Sequence, residues 1–314
     1  MITNISVSQE EECTLWRRVF LTGNDPDFLV VLICVFNFPL LVATVFGNIL
    51  IIAAVWRTPS LRSPSIILLC GLASTDLTVG ALAQRMFLFI NIKILTDPTA
   101  YSCALQNLFF VLSSTTCVVS LFTATAISAD RLIALKYHMR YPSVVTVNRV
   151  LSTIAINWMV GGFTATMIFW EELALVFGIT VVTIAVPLGF SAYAHFTIFC
   201  IARRHKKQIK AQELAFQSRT GISLRRFKLI TRTSTNALLV YFCLLVCYAP
   251  FFVVWLLEYF KEKISLAPRE VKWLAVAWKL TITPIFMNST LNPIIYCWRL
   301  KETRTAVHKT FLCQ

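Results

Sequence analysis

The amino-acid sequence predicts an all-α membrane protein, with a bundle of seven transmembrane helices and a short amphipathic eighth helix on the inner leaflet. Three observations predict this class. The mean hydropathy is +0.70, and only 14% of the residues are charged, against about 25% in a soluble domain. Seven apolar segments are each long enough to cross a bilayer, which takes about 20 residues. Basic residues are concentrated in alternate connections between those segments.

The seven segments define a membrane domain over residues 29–298, between a polar extracellular tail at 1–28 and a cytoplasmic amphipathic helix and tail at 299–314. Several segments contain proline, which is tolerated in membrane helices because neighbouring groups satisfy the freed carbonyls. The segments cover approximately residues 28–56, 65–91, 98–129, 148–170, 174–202, 229–257 and 272–298.

The distribution of charge predicts that the amino terminus lies outside the cell. In that orientation the inner loops and tail hold 20 of the 29 Lys and Arg residues, within 57–62, 131–149, 203–232 and 299–309. The positive-inside rule describes this asymmetry. The net charge of +14 therefore reflects membrane topology and does not indicate a nucleic-acid partner. We expect a multi-pass protein of the plasma membrane that contacts membrane lipids.

Both tails carry predicted modification sites. Asn4 begins an Asn-Ile-Ser glycosylation acceptor, and no cleaved signal peptide is evident before the first span. At the other end, Cys313 follows the amphipathic segment and is a candidate for palmitoylation. The alternative for Cys313 is an unmodified thiol.

The third segment is predicted to lie at the centre of the bundle. It contains no charged residue from Pro98 to Ala129, and it is rich in Ser, Thr and Ala. Such small residues let helices approach closely. Asp130 and Arg131 follow it at the membrane surface. Taken alone, this pair is either an interfacial anchor or a contact for a partner protein.

Asp76 lies in the middle of the second segment, where a charge is costly and usually functional. Polar residues at comparable depth are expected to surround it in a hydrated cluster that holds a structural sodium ion through oxygen ligands. The alternative is a static packing network around a protonated Asp76. No other cofactor and no further metal site is expected. The predicted cluster partners are Asn48, Ser120, Asn288, Ser289 and Asn292.

Two basic residues lie in the outer halves of their segments, Arg85 in the second and Lys279 in the seventh. Each has two interpretations. The long side chain extends outward to water, or it faces the bundle and pairs with an acid or an anionic ligand.

Landmarks in all seven segments resemble those of the rhodopsin-like, class A, G-protein-coupled receptors, with features of the melanocortin, adenosine and amine-type receptors. Each landmark is weak alone, but the set occurs in order with one per segment over residues 30–313. The landmarks are Gly47-Asn48, Leu72-Ala73-Ser74-Thr75-Asp76, Asp130-Arg131, Trp158, Pro187, Cys247-Tyr248-Ala249-Pro250 and Asn292-Pro293-Ile294-Ile295-Tyr296.

The resemblance implies a receptor that binds an extracellular ligand and activates a heterotrimeric G protein. It implies that Arg131 contacts the G protein and that Asp130 holds Arg131 in the inactive state. It also implies that Pro250 kinks the sixth helix and that Tyr296, in the Asn292-Pro293 motif, rotates inward on activation. Asp76, Ser120, Asn288 and Asn292 would form the sodium pocket.

The sequence departs from the family pattern in the residues of the activation switch. Tyr248 replaces the usual Trp, and Leu244 replaces the Phe one turn below it. Ile230 stands where many members place an acid that latches Arg131, and His195 replaces a Tyr of the fifth helix. We therefore hypothesise that basal activity is raised.

The usual outer disulfide is also altered, because the loop between the fourth and fifth segments has no Cys. A bridge between Cys13 and Cys103 is one possibility, and two free thiols are the other.

The ligand pocket is predicted to be mostly apolar and aromatic. Acids that amine receptors and melanocortin-type receptors use are absent, since Met86, Gln106 and Phe110 fill the melanocortin-type positions. A small lipophilic or anionic ligand is expected, while a peptide or an odorant-like ligand remains open. The pocket candidates are Arg85, Phe110, Ser113, Cys117, Tyr248, Phe251, Trp255, Lys279, Ile282 and Phe286.

Two other classes of function are alternatives. A non-signalling decoy or scaffold receptor would fit the altered switch, and a seven-helix transporter would need several ionisable groups at depth, where Asp76 is the clear one. The sequence shows no nucleophile–base set, so an enzyme is not expected.

Overall fold

The computed structural model describes residues 27–96, 103–137, 139–169, 173–215, 221–264, 268–299 and 301–311. These ranges are almost entirely helical and contain no strand. The helices are α1 (Asp27–Arg57), α2 (Pro64–Thr96), α3 (Cys103–Lys136), α4 (Val147–Ala165), α5 (Leu173–Ala215), α6 (Gly221–Ile264), α7 (Pro268–Arg299) and α8 (Lys301–Phe311). A short helix, Tyr141–Val144, lies between α3 and α4.

Five of these helices are long and apolar enough to cross a membrane by length and composition, namely α1, α2, α3, α5 and α6. The other two predicted spans are α4, which a 3₁₀ turn at Thr166–Phe169 extends, and α7, which contains two prolines. Several helices are longer than the apolar segments that predicted them. The inner half of α5, for example, continues to Ala215, because a helix does not have to end where the hydrocarbon ends.

The central position predicted for the third segment is confirmed. Helix α3 packs against α2, α4, α5 and α6, while α7 lies between α1 and α6. The hydroxyl-bearing residues Thr116, Ser120 and Thr123 are buried on α3. Their small side chains allow α3 to be surrounded by four helices at close range.

The bundle has one apolar cluster in its outer half and another in its inner half. The outer cluster centres on Phe87, Phe109 and Phe286, whose rings contact one another through Phe87. The inner cluster includes Leu72 and Tyr296. Large apolar side chains also cover the outside of the helices, as expected for a surface that faces lipid.

Helix α2 contains a π-helical segment, Val79–Gln84, just beyond Asp76. Such segments occur mostly as single-turn bulges and frequently lie at functional sites. The wider turn contains one residue more than an α-turn. Gln84 therefore occupies the inward face that position 83 would take in a regular α-helix, and it is fully buried.

Close packing between α3 and α4 depends on a glycine. A Cβ atom added at Gly161 would lie 2.8 Å from the backbone oxygen of Thr115 and 2.7 Å from a methyl carbon of Val119. The adjacent Gly162 would place its Cβ within 4 Å of nothing. The two glycines therefore form a matched pair for mutation.

We predict that Gly161→Ala destabilises the bundle by about 1–3 kcal/mol through overpacking, even though alanine favours the helix by about 1 kcal/mol. Gly162→Ala should be neutral or slightly stabilising. The measurement is the temperature at which the solubilised protein loses its monodisperse chromatographic peak. Equal midpoints for the two variants would contradict close α3–α4 packing at Gly161.

Candidate functional site

The structure places the predicted site residues in three regions along the bundle axis. The arginine cluster, defined as Ser65, Asp130, Arg131 and Tyr141, lies at the inner end. The aspartate cluster, defined by the six predicted residues Asn48, Asp76, Ser120, Asn288, Ser289 and Asn292, lies at mid-depth. An apolar outer region contains half of the ten predicted ligand-pocket residues.

In the arginine cluster, the Asp130 carboxylate accepts hydrogen bonds from three side chains. Arg131 donates through Nε at 2.9 Å to Oδ2, and its Nη2 also contacts that oxygen. Ser65 donates to the same oxygen at 2.9 Å, and Tyr141 donates to Oδ1 at 2.7 Å. Both oxygens of a nearly buried carboxylate are thus satisfied, and the arginine is neutralised by its neighbour in the chain.

Ser65 and Tyr141 also belong to this cluster, although neither was predicted from the sequence. Ser65 lies at the start of α2, where its hydroxyl also receives a contact from Arg131 Nη2. Tyr141 begins the short helix after α3, and its hydroxyl lies 2.8 Å from the Ser65 hydroxyl. Burial, together with the Asp130 carboxylate, raises the pKa of Tyr141 to about 12. The phenol is therefore protonated at neutral pH and donates to Asp130.

Helix α6 supplies no acid to this cluster. Its first acidic residue after Gly221 is Glu258, which lies toward the opposite end of the helix. Among the described side chains, Arg131 contacts Asp130 of α3 and Ser65 of α2. The side chain of Ile230 lies outside the part of α6 whose side chains are described.

In the aspartate cluster, Asn292 donates from Nδ2 to the Asp76 carboxylate at 2.8 Å, and Ser289 also hydrogen-bonds Asp76. Asn48 donates to the backbone oxygens of Thr44 at 2.9 Å and Ser289 at 3.2 Å. All six predicted members are at most 3% exposed. The structure therefore joins α1, α2 and α7 through a polar centre, with Ser120 buried on α3.

Four oxygens of the aspartate cluster accept no hydrogen bond from any described residue. They are the Oδ1 atoms of Asn48, Asp76, Asn288 and Asn292, and all are buried. Each is an acceptor, and one belongs to a carboxylate. Hard cations prefer carboxylate and carbonyl oxygens as ligands, so this residue set fits a small monovalent or divalent cation.

The outer region brings together five of the predicted pocket residues. Phe110, Ile282 and Phe286 belong to the outer apolar cluster, and Phe251 and Trp255 pack against it. The ring of Phe251 lies 4.7 Å from that of Trp278. This end of the bundle is therefore built mainly from aromatic and aliphatic surface.

The predicted pocket residues of α3 lie below this aromatic surface. Cys117 hydrogen-bonds Tyr248, the residue that replaces the usual tryptophan of the switch. Ser113 has a buried hydroxyl oxygen with no hydrogen-bond partner among the described residues. Leu244 packs against Leu121 and Ala124 of α3, so the altered switch is closely packed.

The two outer basic residues have different environments. Lys279 is fully buried on α7, whereas Arg85 is exposed on the outside of α2. The assignment of Arg85 to the ligand pocket is therefore corrected, and its position agrees with the alternative of an outward-extending side chain. The inward position next to it is occupied by Gln84.

Gln84 belongs to a polar group between α1, α2 and α7 that was not predicted from the sequence. Gln84 donates to the backbone oxygen of Asn37 at 3.1 Å, and Asn37 donates to Thr283 at 2.8 Å. Lys279 precedes Thr283 by one helical turn. The feature of the sequence that could have predicted this polar group is a Gln within an otherwise apolar segment.

Several predicted positions lie outside the described residues. These are Asn4, Cys13 and Cys313, and the side chain of Cys103 is likewise not described. Glycosylation, palmitoylation and the Cys13–Cys103 bridge therefore stay predictions.

Comparison with known proteins agrees with this architecture. A family model described as the 7 transmembrane receptor (rhodopsin family) matches residues 47–296. The chain is similar to melanocortin receptor 3 of Rattus norvegicus, at 29% identity over 280 residues that cover 87% of this chain and 82% of the rat protein. It is similarly 28% identical to melanocortin receptor 3 of Mus musculus over the same fractions. The chain belongs to the rhodopsin family of seven-transmembrane receptors, which are signalling receptors and not enzymes.

Proposed function

We propose that this receptor binds an extracellular ligand in the outer half of its helix bundle and activates a heterotrimeric G protein at the inner end. The observation that carries the proposal is the arginine cluster. A neutralised Arg131 at the inner end of the central helix is a group that a partner can compete for. The amino terminus is outside in this proposal, because the basic residues are concentrated on the other side.

Activation requires Arg131 to exchange its present partners for groups on the G protein. Because Asp130 keeps Ser65 and Tyr141 as donors, its charge stays hydrogen-bonded when Arg131 leaves. Pro250 within α6, and Pro284 and Pro293 within α7, are the places where these helices bend most easily, since proline removes a helical hydrogen bond. Tyr296 lies one turn below Pro293 and is buried against the inner apolar cluster.

The inactive state is held without an acid from α6. Outward movement of α6 therefore breaks no ion pair with Arg131, and the free energy that opposes activation comes from packing and from the bonds of the arginine cluster. This supports the hypothesis of raised basal activity. The bonds of Tyr248 to Cys117 and of His195 to the Ser128 hydroxyl, at 3.1 Å, hold α6 and α5 to α3 and are among the contacts that oppose activation.

The aspartate cluster is proposed to bind a sodium ion. Asp76 would supply the charge, with Ser120, Asn288 and Asn292 as neutral oxygen ligands. The bound ion would neutralise the buried carboxylate. The four acceptor oxygens without hydrogen-bond partners among the described residues support this assignment.

The ligand is proposed to be small and either lipophilic or anionic. Aromatic side chains of α3, α6 and α7 provide an apolar lining, and Lys279 provides the positive charge. The relatives are named as melanocortin receptors, but the acids that would bind a basic peptide are replaced by Met86, Gln106 and Phe110. An anionic partner fits this charge balance better than a cationic peptide.

We predict that membranes containing the receptor accelerate nucleotide exchange on at least one member of a G-protein panel, and that Arg131→Ala reduces exchange to the level of receptor-free membranes. Surface expression of both proteins is measured in parallel. Exchange that is equal for both, with a ligand screen included, would contradict the proposal and favour the decoy or scaffold alternative.

Tyr141→Phe is predicted to lower ligand-free exchange about fivefold, because the Asp130 carboxylate loses one of the two donors that stay with it when Arg131 leaves. The variant removes the phenol that binds Asp130 and Ser65, and one hydrogen bond contributes about 1 kcal/mol. Tyr137→Phe is the control, because Tyr137 is exposed and lies on the same segment. Ile230→Glu, which would introduce a latch, should lower ligand-free exchange. If nucleotide exchange is unchanged in Tyr141→Phe, the arginine cluster does not contribute to the free-energy barrier to activation.

Sodium chloride is predicted to raise the thermal unfolding midpoint by a few degrees relative to choline chloride at equal ionic strength, since a ligand of the native state stabilises it. Asp76→Asn should abolish the difference between the salts. A sodium effect that persists in Asp76→Asn would place the ion elsewhere.

A further inference from the structure

A groove on the lipid-facing side of α1 and α2 has no role in the proposed function. It has a volume of about 340 Å³, and the surface that its lining residues expose to it is apolar. Its walls come from both helices, and Ala53 contributes a small side chain at its floor. The lining residues are Ile49, Ile52, Ala53, Trp56, Arg57 and Leu77.

The groove extends over most of one leaflet. Ile49 and Arg57 are eight residues apart on α1, which corresponds to about 12 Å along a helix. One leaflet of the hydrocarbon core is about 15 Å thick. Leu77 follows Asp76 at mid-depth, whereas Arg57 ends α1. The groove therefore runs from the middle of the membrane to its inner surface, which is the path of one acyl chain.

The inner end of the groove is cationic. Arg57 is exposed, and among the described residues it donates one long hydrogen bond, at 3.5 Å, to the backbone oxygen of Thr310 on α8. Arg62 donates to the backbone oxygen of Trp56 at 2.6 Å, which places a second guanidinium at a residue that lines the groove. No acidic residue occurs between Ile49 and Thr75. Trp56 is 76% exposed, as is typical of an aromatic side chain at a membrane interface.

We propose that this groove binds an anionic phospholipid of the inner leaflet, with an acyl chain along the apolar lining and the headgroup against Arg57 and Arg62. Guanidinium groups form charge-assisted, often bidentate hydrogen bonds with phosphate. Basic pockets between helices on the cytoplasmic side bind anionic headgroups. A zwitterionic lipid would leave the two arginines only partly neutralised, and a sterol would offer them one hydroxyl.

The test is native mass spectrometry of the full chain in detergent, after incubation with an equimolar mixture of phosphatidylserine and phosphatidylcholine. Phosphatidylserine should be retained preferentially. The double variant Arg57→Ala/Arg62→Ala should reduce that preference about thirtyfold. Arg149→Ala is the control, because Arg149 is an exposed arginine at the inner end of α4.

A second variant tests the groove independently of charge. Ala53→Phe should fill it and displace the lipid, whereas Ala185→Phe, at an exposed position on α5, should not. Equal retention of the two phospholipids would overturn the proposal. Retention that is unchanged both in Arg57→Ala/Arg62→Ala and in Ala53→Phe would also overturn it. Binding of cholesterol that depends on Ala53 but not on the arginines would overturn it as well, and so would formation of a dimer in place of lipid binding.

Discussion

A polar group in the hydrocarbon core has no water available, and this constraint determines how the helices of the receptor are arranged. Asp76 is the strictest case, because an unpaired buried carboxylate is prohibitively costly. Its partners come from α7, and Asn48 connects the same region to α1. Thr44 and Thr290, whose hydroxyls are 2.6 Å apart, extend this polar contact between α1 and α7 toward the outer side. Together, these bonds fix the rotation of three helices about their axes.

Buried polar groups at the inner end of the bundle must also find partners within the protein. Asp130 and Arg131 neutralise one another, and the remaining acceptor capacity of Asp130 is taken by Ser65 and Tyr141. The cluster thus links α2, α3 and the short helix that follows α3, and α6 is absent from it among the described side chains. A receptor whose α6 is held mainly by packing would have a lower barrier to opening than one held by an ion pair.

The outer surface of the bundle obeys the opposite requirement, since apolar side chains there face lipid at no cost. A groove on that surface must be filled by lipid tails or by another protein. The pair of arginines at its inner end gives it a preference that a purely apolar groove would not have. Lipid composition then becomes a property that the α1–α2 surface can detect without any contact with the ligand region.

The sequence by itself determined the fold class, the central position of α3 and the family. These follow from span length, small-residue content and ordered motifs, each of which is a local property of the chain. The grouping of Asp76 with Asn292 also followed, because both lie at mid-depth of their spans. Only the tertiary structure placed Ser65 and Tyr141 at Asp130, since hydrogen bonds between residues 65 and 130 depend on helix rotation. It also decided that Gln84 faces inward and Arg85 outward, because the π-helical segment of α2 shifts the positions of the residues around the helix axis. No proline in the sequence marks this segment.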